Sequence, residues 1–256
     1  MKTSILDLRG LVINSYHSGE DPDAIPGDIK KSVNTAPYDF EVFLTKYYDP
    51  VLKICNPPVN VIAALDSGNV YRKSLYPAYK EARGKQTHKQ DPVEKHQLDL
   101  AIELVKGFLL AQGAALIQSQ GQEADDVIAY LVENLGGFKT VHTVDKDLIA
   151  LTGEKCFVFV NGKHTTEIQT ALFTVPANLV SLYKSVVGDP ADSYIGVKGV
   201  GPAGWLSMQN SFGLDGLEEL DALIKAKSKA ELRAIAALEN HLVLSKCVGA
   251  FHDWSL

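Results

Sequence analysis

The chain is poor in cysteine, has no histidines at ligand spacing and contains no long apolar run, and each lack removes a class of function. Cys55, Cys156 and Cys247 are odd in number, far apart and never in a CxxC pair. They argue against a disulfide framework or a zinc site and suit reduced, buried thiols in a cytosol. His17, His88, His96, His142, His164, His241 and His252 show no pairing at ligand spacing, so no histidine-based catalysis is expected. No apolar run approaches the ~20 residues that cross a bilayer. Asp7 interrupts the first apolar stretch too early for a signal peptide. Internal repeats and low-complexity tracts are also absent. A net charge of −6 argues against a simple nucleic-acid binder, which is usually basic.

What is present is ordinary globular protein. With 46% apolar residues, the 256-residue chain can fill a sizeable core, as one large α/β domain or a domain with a small appendage. Apolar runs at residues 4–8, 59–65, 114–118, 140–144 and 156–160 read as strands, Val/Ile/Leu-rich enough for burial on both faces. Helical patterns lie between them. Leu98, Ile102, Val105 and Leu109 predict a helix over about 92–112, and Val127, Ile128 and Leu131 another over 124–135. Such alternation predicts an α/β fold with a central, mainly parallel sheet flanked by helices. Residues 21–34 read as a surface loop and 83–92 as a mobile polar segment. From Gly188 to Gly204 the texture becomes Gly-rich, then helical to about Asn240. Residues 1–187 are therefore expected to form the core, with 188–256 as a helical part packed on it.

The acids are the informative residues. Asp7 and Asp66 end the first two predicted strands; Glu123, Asp125 and Asp126 open the helix after the third; Asp145 and Asp147 follow the fourth. In a parallel sheet all C-terminal strand ends lie along one edge, where open α/β folds bind ligands. Each acid alone has a simpler explanation, as a turn residue or a helix cap. Acids at the ends of several strands together are better explained by a shared task. Crowded carboxylates repel unless cations neutralise them. Oxygen-only ligands select hard ions such as Mg²⁺ or Mn²⁺. One magnesium ion takes only a carboxylate or two, so this many acids suggests two ions, the arrangement that activates water and stabilises a leaving oxygen. Arg72, Lys73, Lys80, Arg83, Lys85 and Lys89, opposed only by Glu81, form a basic stretch that charge alone would make a solvated face.

With these residues assembled, the chain resembles the 5′-nuclease superfamily of flap endonucleases, bacteriophage 5′–3′ exonucleases and the 5′-nuclease domain of bacterial DNA polymerase I. The resemblance rests on Ile5-Leu6-Asp7, Leu65-Asp66-Ser67-Gly68, Tyr71-Arg72-Lys73 with Tyr76 to Arg83, Gly121 to Asp126, Thr143 to Leu148, and Gly188-Asp189-Pro190-Ala191-Asp192 running into Gly196 to Gly201. These motifs appear in the family's order over about residues 5–205. The resemblance implies a PIN-like core, a helical arch at about 72–92 and a C-terminal part related to the helix-hairpin-helix.

It also implies roles. Asp189 and Asp192 join the metal-binding set; Asp7, Asp66, Glu123, Asp125 and Asp126 would surround one ion, and Asp145, Asp147, Asp189 and Asp192 the other. Lys80 and Arg83 match positions that contact the scissile phosphate, and Tyr79 an aromatic that stacks on a base, although a buried aromatic is an equal reading. Arg72, Lys73, Lys85 and Lys89 would guide the backbone. Gly196, Lys198, Gly199 and Gly201 belong to a turn that approaches duplex phosphates and can hold K⁺. Departures from the pattern are Leu8 for a glycine, Asn14 for an arginine, and Ala203-Gly204-Trp205 for Lys-Thr-Ala. The last removes a duplex-binding cation, which Lys184 or Lys198 could replace.

The expectation is a monomeric, cytoplasmic enzyme from a bacterium or an infected cell. It would cut DNA at a 5′ flap, nick or free 5′ end, or RNA in an RNA–DNA hybrid, leaving a 5′-phosphate during replication or repair. Two other classes compete: a non-catalytic DNA-binding relative and a metal-dependent small-molecule phosphatase.

Overall fold

The computed structural model describes residues 2–18, 39–54, 60–68, 70–81, 92–197 and 200–226. The chain divides into two compact units: residues 1–68, 86–146 and 153–164, and residues 69–85, 147–152 and 165–256. Among the described residues no helix is long and apolar enough to cross a membrane.

The first unit is built on a sheet of six strands: β1 (Lys2–Asp7), β2 (Asn60–Leu65), β3 (Ala115–Gln118), β4 (Phe138–Thr143), β5 (Cys156–Val160) and β6 (Lys163–His164). Their order is β3-β2-β1-β4-β5-β6. The first five are parallel and β6 turns back antiparallel on β5. The expected α/β fold with a mainly parallel sheet is the one observed. Helices α1 (Leu8–Ser18), α2 (Pro92–Ala111) and α3 (Ala124–Asn134) make the crossovers that parallel pairing demands. The stripe of α2 is buried as its spacing predicts, through Leu98, Ile102, Val105 and Leu109, against Leu6, Leu8, Leu11, Phe43 and Tyr47. Leu8, expected at the end of a strand, instead starts α1 and lies in this core.

β4 is rich in buried polar residues, and of the buried polar side chains on β1 and β4 all but one have an internal partner. Ser4 and Thr140 share a hydrogen bond across β1 and β4 at 2.9 Å. The Lys139 ammonium donates to Val132 O and Leu135 O, at 2.8 and 2.7 Å, and so caps the C-terminal end of α3. The exception is Thr3 on β1, whose hydroxyl has no hydrogen-bond partner. His142 stacks on Phe159 at 5.1 Å and bonds Thr140 Oγ1 at 3.1 Å. Burial lowers its pKa from 6.5 to about 4. The folded state therefore resists protonating a group that the unfolded chain protonates, and stability falls as pH drops from 6.5 through 4. At about 1.4 kcal/mol per unit, roughly 3 kcal/mol is lost by pH 4. A pH series of urea melts should show this loss, and His142→Phe, which cannot titrate, should flatten it.

The second unit contains the short helix Val70–Leu75, a 3₁₀ turn at Asp147–Leu151, a two-stranded antiparallel pair β7 (Glu167–Gln169) and β8 (Thr174–Pro176), and helices α4 (Val180–Val187) and α5 (Pro202–Ala226). α5 is interrupted at Gly213, whose φ of +69° lies outside the helical region. Its anchor is Trp205, 1% exposed, packed edge-on against Tyr183 of α4 at 5.2 Å. Within Ala203-Gly204-Trp205 it is therefore Trp205 that supplies core volume, whereas Ala203 is exposed.

Candidate active site

In the first unit, register decides which acids meet. Asp7 pairs with Ala64 on β2, and Leu6 with His142 on β4. Asp66 and Thr143 therefore flank the end of β1, where strand order reverses and α/β sheets open a crevice. Thr143 Oγ1 donates to Asp7 Oδ2 at 2.7 Å and accepts from the Asp145 N–H at 2.9 Å. A Cβ on Gly10 would lie 2.8 Å from Asp7 Oδ2 and 3.0 Å from Val144 Cγ2, so only glycine lets α1 run this close to the carboxylate. Asp7 is 7% exposed. Burial raises its pKa from 3.8 to about 6; the Thr143 hydrogen bond opposes the rise, and the negative charges of Asp145 and Asp66 add to it.

Asp66 Oδ1 accepts the Ala124 N–H at 2.9 Å and ties the end of β2 to the start of α3. Glu123 is the N-cap of α3 in a capping box with Asp126, whose Oδ2 accepts the Glu123 N–H at 3.0 Å. Helix capping, the simpler explanation for Asp126, is therefore one of its jobs, and it orients both buried acids. Asp125 stands half-buried in the same turn. Among the described residues no three acids form a ready-made metal cage; a hard ion that keeps several waters does not require one. Buried, mutually repelling oxygen donors, one held near its protonation point, are chemistry that a dication relieves. These residues fit one.

The charge of Asp145, which the resemblance groups with Asp147, Asp189 and Asp192, also acts on Asp7.

In the second unit, a tight loop carries Asp189 and Asp192. Asp189 and Tyr194 exchange both backbone hydrogen bonds at 2.8 Å. Gly188 and Gly196 close the loop: a Cβ on Gly196 would sit 2.4 Å from Gly188 N. The freedom of Gly196, read from sequence as room for a phosphate, is used for this backbone approach. Asp189 Oδ1 caps the next turn through the Ala191 N–H at 3.0 Å, and Oδ2 meets Lys184 Nζ at 3.0 Å. The same ammonium lies 2.8 Å from Asp147 Oδ1. Lys184, read as a substitute duplex-binding cation, is committed instead to two carboxylates.

The basic stretch reaches this loop. The Lys80 N–H donates to Asp192 O at 3.0 Å, and Tyr76 OH to Ser193 O at 3.1 Å. Lys80 holds a left-handed φ of +55°. Tyr79 is 4% exposed, with the Arg72 guanidinium 5.8 Å and Lys80 Nζ 5.0 Å from its ring centre. Of the two readings of Tyr79, the buried aromatic matches this geometry. Lys73 is exposed, and Gly201 O accepts the Trp205 N–H at the start of α5. Arg83, Lys85, Lys89, Lys198 and Gly199 lie outside the described residues. Sequence reading gave no role to Thr143, which opens a recognised motif, or to Gly10, three residues after Asp7, and did not foresee the pairing of Lys184 with Asp147 and with Asp189 five residues on.

Comparison with known proteins agrees with this architecture. A 5′-3′ exonuclease of Aquifex aeolicus is 34% identical over 148 residues, 56% of this chain and 48% of that protein. DNA polymerase I of Treponema pallidum is 28% identical over 83% of this chain and 21% of that protein. The chain thus spans about half the length of the first relative (48%) and about a fifth of the second (21%). Among solved structures, a bacteriophage T5 flap endonuclease variant in a pseudo-enzyme–product complex with DNA and metal ions matches with TM-score 0.63 and 18% identity, over 98% of this chain and 89% of that one. The T5 5′-exonuclease with bound zinc ions matches at TM-score 0.60 and 18% identity, over 97% and 88% of the respective chains. These two share the fold. The family model for the 5′-3′ exonuclease N-terminal resolvase-like domain matches residues 2–176, and the chain belongs to that family.

Proposed function

We propose that this chain is a divalent-metal-dependent, structure-specific 5′-nuclease that hydrolyses DNA phosphodiesters. The observation that carries the reading is Asp7: a buried carboxylate at the reversal of strand order, held against the charges of Asp66 and Asp145. A bound dication would relieve the repulsion among these carboxylates. Bound Mg²⁺ or Mn²⁺ would supply the charge that activates water and stabilises the departing 3′ oxygen.

The residues divide the work. Asp7, Asp66, Glu123, Asp125, Asp126 and Asp145 would hold one ion, directly or through water. Asp147, Asp189 and Asp192 are the acids proposed for a second. Lys80 and Arg83 would offset charge on the scissile phosphate. Arg72, Lys73, Lys85 and Lys198 would guide the backbone, and the turn from Gly196 to Gly201, with K⁺, the downstream duplex. The proposed substrate is DNA with a 5′ flap, nick or free 5′ end, met by a monomer during replication or repair.

The test is cleavage-site mapping on 5′-labelled flap, nicked and blunt duplexes with and without Mg²⁺. Magnesium-dependent cutting near the flap base is expected, with Asp145→Asn lowering the rate by about a hundredfold or more. Tight DNA binding without cutting would favour a non-catalytic relative, and nucleotide hydrolysis without DNA cleavage a phosphatase.

A further inference from the structure

Lys184 is a cation placed between Asp147 and Asp189. It projects from α4, and its ammonium contacts both Asp147 Oδ1 at 2.8 Å and Asp189 Oδ2 at 3.0 Å. The Asp189 side chain is 8% exposed and that of Lys184 27%, so solvent screens this bridge little. The other Asp189 oxygen is already bound by the Ala191 N–H. This contrasts with Asp7, which lies beside the negative charges of Asp145 and Asp66 and accepts hydrogen bonds from Thr143 Oγ1 and the Gly10 N–H. The Asp147–Asp189 pair carries its own cation.

We infer that Lys184 is the resident counter-cation of the Asp147–Asp189 pair, and that a second divalent ion binds there only by displacing its ammonium. The inference rests on the proposed metal dependence and refines it: the two ions load unequally, the first at the Asp7 group and the second more weakly. Lys184 is a positioning residue. It holds Asp147 and Asp189 together in the metal-free protein and sets the metal concentration at which the second site fills.

The experiment is a Mn²⁺ titration of the full chain without DNA, with free Mn²⁺ read by electron paramagnetic resonance. The wild type should show one tight ion and a second weaker by about tenfold or more. Lys184→Gln should tighten the second by about tenfold while leaving the first unchanged, and Lys184→Arg, which keeps the charge, should leave it weak. A wild-type measurement runs in parallel: reductive methylation of Lys184, read by mass spectrometry, should be slow without metal and rise severalfold at saturating Mg²⁺. If Lys184→Gln does not fold, this labelling decides alone. Two equal ions in the wild type, or labelling indifferent to Mg²⁺, would overturn the inference and leave the metal-dependent reading intact. No bound Mn²⁺ at all would overturn both.

Discussion

Asp7→Asn is expected to stabilise the metal-free protein and to abolish DNA cleavage. A carboxyl whose pKa is raised from 3.8 to about 6 prefers its proton when folded. Below pH 3.8 the group is neutral in both states and costs nothing. As pH rises through about 6 the folded chain must accept a buried charge, and stability is lost. The cost at pH 7.5 is at most about 3 kcal/mol, from about two units at 1.4 kcal/mol each. Asparagine keeps an oxygen to accept from Thr143 Oγ1 and carries no charge. In metal-free buffer, its melting temperature should exceed that of the wild type at pH 7.5, and the two should converge near pH 4. Added Mg²⁺ should raise the wild type by mass action and the variant little. Cleavage by the variant should fall by about a thousandfold. A variant no more stable than the wild type at pH 7.5 would show that Asp7 is not a strained charge. The pH slopes of Asp7 and His142 have opposite signs, so over pH 4–6 they partly cancel, and each single variant should uncover the other.

Trp205→Ala is expected to cost about 3–5 kcal/mol, among the largest penalties available in the second unit. The side chain is 1% exposed, and its removal leaves a cavity beside Tyr183 that the α4–α5 contact cannot collapse to fill. Its indole N–H has no hydrogen-bond partner. Trp205→Phe therefore discards an unsatisfied donor along with some volume, and its penalty should be less than half that of alanine. Urea denaturation of the three proteins checks the order. Because the Asp189–Tyr194 loop follows directly on α4, the alanine variant should also weaken DNA binding at permissive temperature. Equal penalties for alanine and phenylalanine would mean that the pairing with Tyr183, rather than buried volume, holds α5.

Particular elements show how far sequence carries. The α2 stripe was legible because helical periodicity reports burial directly, whatever the partner. The C-terminal ends of all five parallel strands could be placed to within one residue because buried parallel strands are short and apolar. β4 was the least regular, since Lys139, Thr140, His142 and Thr143 are polar yet buried. Their partners, Val132 O, Ser4, Phe159 and Asp7, come from other segments, and no local pattern encodes them. Tyr79 was balanced between two roles for the same reason: exposure is a property of the fold and not of the motif.

The amino-acid order alone determined the fold class, the strand-end acids and the family, since each is written in local periodicity or in motifs of fixed spacing. Only the tertiary structure decided how charge is shared. Asp7 gathers Asp66 and Asp145 through strand register, whereas Lys184, on the helix that leads into Asp189, also meets Asp147 from a distant part of the chain. Electrostatic energy depends on distance through space, and separation along the chain gives no measure of it.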